Sequence, residues 1–72
     1  MTIDEFKKNI APHMRKGWVA MDSNESYFYY KYKPNLNNYM WISIDKNYDI
    51  LSSYFNIEPV EDWTKSLIEV GK

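Results

Sequence analysis

Apolar side chains recur along this chain with two periods. Near the start, Ile3, Phe6 and Ile10 fall at helical spacing, with Lys7 and Lys8 turned outward. Thr2-Ile3-Asp4-Glu5 has the form of a capping box, threonine at the N-cap and glutamate three positions on. Pro12 lacks an amide hydrogen and clashes with the turn before it, so it should end this helix, with Met14 adding one last apolar contact. From Gly17 the period becomes two. Residues 17–22 (GWVAMD) predict a first strand, Ser23-Asn24-Glu25 a polar turn, and residues 26–33 (SYFYYKYK) a second strand full of strand formers. Residues 34–38 (PNLNN) read as a loop and residues 39–44 (YMWISI) as a third strand. Short connections between three consecutive strands imply an antiparallel meander.

The second half is less periodic. In residues 45–56, Ile50, Leu51, Tyr54 and Phe55 have helical spacing, but Ser52-Ser53 weakens it, leaving a short helix or an irregular connection. Residues 59–70 predict a closing helix. Pro59 sits in its first turn, where the missing N–H costs nothing, and Glu61 and Asp62 complement the positive end of the helix dipole. Val60, Trp63 and Leu67 make its apolar stripe and Gly71 its stop. The expectation is a single α+β domain spanning residues 1–72: an N-terminal helix, a three-stranded antiparallel meander, and a C-terminal helix packed on one sheet face.

Alternation sorts the strand residues into two sets. Val19, Met21, Phe28, Tyr30, Tyr32, Met40, Ile42 and Ile44 should pack against the helices. The other set gathers Trp18, Tyr27, Tyr29, Tyr39 and Trp41 on the opposite surface, together with Lys31 and Lys33. The lysines argue against full burial of that surface. An open sheet face usually carries polar residues, so its aromatics need a reason. Residues 45–56 folding across it would supply one, as would cross-strand aromatic pairs that stabilise the sheet. A partner surface would supply another, since exposed apolar patches rimmed by charge mark interaction sites. Self-association is the third.

Composition narrows the choice. Aromatics make up 18% of the 72 residues, with three Trp and seven Tyr, more than a core this small needs. The net charge is −1, with a basic front (Lys7, Lys8, Arg15, Lys16) and an acidic back, so the chain as a whole does not read as a polyanion binder. There is no cysteine, which suits a reducing cytoplasm, and the charged opening stretch does not read as a signal peptide. Catalytic constellations fail on inventory. His13 is the only histidine, no metal-ligand spacing occurs, and two glycines cannot build a phosphate loop. Glu61 and Asp62 are adjacent and point apart on a helix, which suits dipole partners better than an acid–base pair. The expectation is no enzyme and no cofactor. Aromatics beside Lys31 and Lys33 also fit a single-strand nucleic-acid binder, although no ribonucleoprotein motif is present.

The stretch GWVAMD from Gly17, with the aromatic strand and Lys33-Pro34 after it, resembles a hairpin recurring in small bacteriophage and prophage proteins of low-GC Gram-positive bacteria. The closing stretch IEPVEDWTKSLIEV from Ile57 is similar to the tail of such proteins, and the two together cover about half of the 72 residues. That group often has a glycine in the hairpin turn and a Trp early in the second strand; this chain has Ser23-Asn24-Glu25 and Tyr27-Phe28. The resemblance implies a non-enzymatic effector in the host cytoplasm that binds and inhibits one bacterial protein, a defence nuclease such as a CRISPR effector among the possible targets. A nucleic-acid module and a self-associating accessory protein are the alternatives.

Overall fold

The computed structural model describes residues 1–44 and 48–71. Helix α1 (Ile3–Asn9) is capped as its sequence implies: the Glu5 amide donates to Thr2 Oγ1 at 3.1 Å, and the Thr2 amide donates to Glu5 Oε1 at 2.9 Å. Those two Thr2 groups hold the Glu5 carboxyl below its ordinary range. The helix stops before Pro12, which lies in a 3-10 turn at Ala11–His13. Phe6 is fully buried, and Ile3, Ile10 and Met14 pack around the same core.

Strands β1 (Gly17–Met21) and β2 (Tyr27–Tyr30) form the expected hairpin. Its turn decides everything built on it. Asp22 and Ser26 close the turn, the Asp22 amide donating to the Ser26 carbonyl at 3.0 Å, and Glu25 takes a left-handed φ of 69°. A type I turn followed by a left-handed residue is the standard three-residue hairpin loop. An odd loop pairs positions of like parity: Trp18 with Tyr30, Val19 with Tyr29, Met21 with Tyr27. Residues paired across an antiparallel ladder share a face. The face assignment read from alternation is therefore reversed for β2. Tyr27 and Tyr29 join Val19 and Met21 against α1, while Phe28 and Tyr30 join Trp18 and Ala20 on the other side.

The meander is replaced by two sheets. A four-stranded antiparallel sheet has the order β5-β2-β1-β6, where β5 is Tyr48–Ile50 and β6 is Ile68–Val70. A separate hairpin of β3 (Asn35–Leu36) and β4 (Trp41–Ile42) lies over the second face. Asn37 turns it back on itself: its Oδ1 accepts from the amides of Tyr39 and Met40 at 2.8 and 2.7 Å. Trp41 then pairs with Leu36 instead of with β2, whose free side is taken by β5. Of the ambiguous 45–56 segment, residues 45–47 lie outside the described ones; the rest is strand β5 and a 3-10 turn at Leu51–Ser53, and Leu51 and Phe55 enter the core on the α1 side.

No closing helix forms. Residues 57–62 run without regular structure, a 3-10 turn covers Trp63–Lys65, and Ile68–Val70 becomes an edge strand beside β1. Three contacts hold the extended path. The Tyr27 hydroxyl donates to the Glu58 carbonyl at 3.0 Å, Asp62 Oδ1 caps the turn by accepting from the Thr64 amide, and β-branched Ile68 and Val70 pair with Val19 and Gly17. Just before β6 begins, the buried Ser66 hydroxyl extends the ladder: the Met21 amide donates to its Oγ at 2.8 Å, and its own proton goes to the carbonyl of Met21 or Trp63. Ser66→Ala leaves the Met21 amide buried without a partner, at an expected cost of about 1–3 kcal/mol. A lower urea midpoint at unchanged slope would register that loss, and an unchanged midpoint would contradict it.

The two clusters flank the sheet. The larger contains Phe6, Val19, Met21, Tyr27, Tyr29, Leu51, Ile57 and Val70; the smaller contains Ala20, Tyr30 and Trp41. Trp63 packs against both. The radius of gyration, 11.1 Å, is close to the roughly 11 Å of a folded chain this long, so the second layer adds no extended arm.

Candidate functional site

The aromatics expected on one surface are divided between two. Tyr27 is fully buried, and Tyr29 lies across Gly17 with its hydroxyl donating to the Lys16 carbonyl at 2.9 Å. A Cβ on Gly17 would sit 2.5 Å from that hydroxyl, so the glycine is what lets the ring lie flat there. Trp18 is half-buried on the opposite face, where the Lys33 ammonium lies 5.3 Å from its ring centroid. Lys31 is exposed, its ammonium 5.4 Å from the ring of Tyr32. Trp41 is buried under the β3–β4 hairpin, and Tyr39 projects from the hairpin's turn at 76% exposure.

Trp41 is placed by three constraints. Its amide donates to Asp22 Oδ1 at 3.0 Å, its indole Nε1 donates to the Trp63 carbonyl at 3.2 Å, and its ring packs on Ala20 and Tyr30. The hairpin does not close flush on the sheet. Between them lies a cleft of about 490 Å³, lined by Asp22, Phe28, Tyr30, Met40, Trp41, Ile42, Ser43 and Tyr48. That volume is in the range of ligand pockets. Phe28, Tyr30 and Tyr48 form a ring triad with centroids 5.8–6.4 Å apart and interplanar angles of 77°, 44° and 40°. Of the residues expected to bind a partner, only Trp41 lines this cleft. Phe28, Tyr30 and Tyr48 were missed because of the reversed parity and the unassigned β5, and Asp22 because it reads as a turn residue.

The outer rim is apolar as well. Met40, Ile42 and Ile44 on or beside the hairpin are 48%, 44% and 81% exposed, and Tyr48 and Ile50 on the edge strand are 48% and 51% exposed. Contiguous exposed apolar side chains of this kind mark interaction sites.

Burial, with the Asp22 carboxylate and Tyr48 nearby, pushes the Tyr30 phenol far above its ordinary value, and burial raises Tyr27 too. The sign follows from the shift. Below about pH 10 both states hold these protons; above it the unfolded chain releases them first, so stability falls until the raised folded values are reached. Urea midpoints between pH 9 and 11 should fall with pH, and Tyr30→Phe should flatten that fall. An unchanged slope in the variant would mean that Tyr30 ionises as freely as in the unfolded chain.

Among the described residues no group of acidic or histidine side chains is placed to hold a metal ion, and no helix is long and apolar enough to cross a membrane. Comparison with protein-family models, curated proteins and solved structures finds no match.

Proposed function

We propose that the chain is a non-enzymatic binding module whose partner docks on the β3–β4 hairpin and the neighbouring β5 edge. One observation carries this reading: Tyr39, Met40, Ile42, Ile44, Tyr48 and Ile50, all large and apolar, stand exposed around an aromatic cleft. Tyr and Trp dominate the energetics of protein interfaces, and a rim of this kind surrounds them in docking surfaces. The sheet edge at β5 adds backbone groups that an incoming strand can pair with. The resemblance to small phage proteins makes the partner a bacterial protein in the host cytoplasm, blocked by occupancy, with defence nucleases such as CRISPR effectors among the targets to be tried first.

The test is capture from bacterial lysate, with and without nuclease, comparing the wild type with a Tyr39→Ser, Ile44→Asp variant. Both positions are more than three-quarters exposed, so the variant should keep the wild-type urea midpoint. The expected result is one protein at fixed stoichiometry, indifferent to nuclease and lost in the variant. Capture that disappears with nuclease would assign the surface to single-stranded nucleic acid, and concentration-dependent oligomers without a third component would assign it to self-association.

A further inference from the structure

We infer that the cleft between the hairpin and the sheet is a receptor for an alkylammonium group, the head of a lysine side chain supplied by the protein partner. This deepens the partner reading above, since it names the side chain that the surface takes. Two observations on the lining carry it. One is the triad of Phe28, Tyr30 and Tyr48, whose rings stand at 40–77° to one another, so no common plane exists for a flat group to stack on. Non-parallel π faces suit a compact, rounded cation, which ring quadrupoles attract within about 6 Å. The other is the carboxylate of Asp22, part of the same lining. It is held in place by the Trp41 amide on Oδ1, and a carboxylate has about four lone-pair sites, so one bond leaves most of its accepting capacity for the guest.

The charge is complementary where it needs to be. Among the described residues lining the cleft Asp22 is the only charged one, and Lys31 and Lys33 sit over Tyr32 and Trp18 rather than over its rings. Met40 and Ile42 form the apolar flank along which the methylene stem of a lysine would lie. A guanidinium gains most from flat stacking and a bidentate fork, neither of which this arrangement favours. A neutral guest of the same size would bring the partly buried Asp22 carboxylate no counter-charge.

The probes are tetramethylammonium, N-acetyl-lysine methylamide and its arginine counterpart, with tert-butanol as a neutral match in size. Amide and indole NMR shifts of the intact protein are followed during titration. The expected result is saturable shifts at Trp41, Tyr48 and Asp22 with both ammonium probes, weaker shifts with the arginine probe and none with tert-butanol. Asp22→Asn keeps an oxygen for the Trp41 amide and should leave the urea midpoint in place while weakening ammonium binding on the order of tenfold. Tyr48→Leu, at a half-exposed position, should weaken it comparably. Equal response to tert-butanol, preference for the arginine probe, or indifference to Asp22→Asn in a folded protein would each overturn the inference. Ammonium-selective shifts alongside failed capture from lysate would count against the partner reading and not against the chemistry of the cleft.

Discussion

Tyr27→Ala is expected to remove a large fraction of the chain's stability at 25 °C. Emptying a fully buried aromatic site costs about 3–5 kcal/mol. A domain this size has roughly 4–11 kcal/mol in total. The loss also strands the Glu58 carbonyl, whose bond from the Tyr27 hydroxyl holds the residues before β6 extended. Tyr27→Phe separates the two effects, since it keeps the ring and removes only the bond, at about 1 kcal/mol. Urea unfolding followed by far-UV circular dichroism measures both. The comparison also decides between two surfaces for Tyr27. On an open partner face, alanine there would cost binding and leave stability alone, whereas in the α1-side core it must cost stability first. A Tyr27→Ala midpoint no lower than that of Tyr39→Ala, at an exposed site, would contradict the register of the first hairpin.

That register shows where legibility ended. Helix α1, its capping box and its stop at Pro12 are short-range events, written in residues that touch one another, and they form as the sequence implies. The first hairpin was legible as a hairpin. Its parity was implied by the three-residue turn Ser23-Asn24-Glu25, which pairs positions of like parity, but alternation along each strand carries no such information, and Glu25 is not a residue that favours the left-handed φ it adopts there. One residue of parity exchanged Tyr27 and Tyr29 for Phe28 and Tyr30, and with them half of the candidate site. The closing helix failed for a different reason. Val60, Trp63 and Leu67 have helical spacing, but Trp63 serves both clusters from a 3-10 turn, and Ile68 and Val70 are claimed by β1 from far away in sequence. Local periodicity gives no sign of an edge strand waiting for a partner. Of the five aromatics the sequence marks as surplus, Trp41 lines the cleft and Tyr39 projects from the hairpin turn; the cleft also needs Tyr48, whose strand carries no alternating pattern long enough to read.

Trp41→Ala is expected to release the β3–β4 hairpin from the sheet while leaving the α1-side core standing. The substitution removes the ring from Ala20 and Tyr30 and the indole bond to the Trp63 carbonyl, with an upper cost of about 3–5 kcal/mol. Among the described residues the hairpin strands make few other contacts with the rest of the fold. Its strands are two residues each, and the bond from the Trp41 amide to Asp22 depends on the same seat. Hydrogen exchange should therefore show lost protection for the amides of residues 35–42, with those of α1, β1 and β2 close to wild type, the pattern of a separate low-stability unit. Trp41→Phe, which keeps most of the apolar contact and loses the indole donor, should fall between. Uniform loss of protection across the chain would mean that the two clusters unfold as one. Because the hairpin carries most of the apolar rim, its release should abolish partner capture and ammonium binding together, even in a protein that keeps its helix and main sheet. Capture that survived with the hairpin unlatched would move the docking surface away from the cleft, to the β5 edge alone.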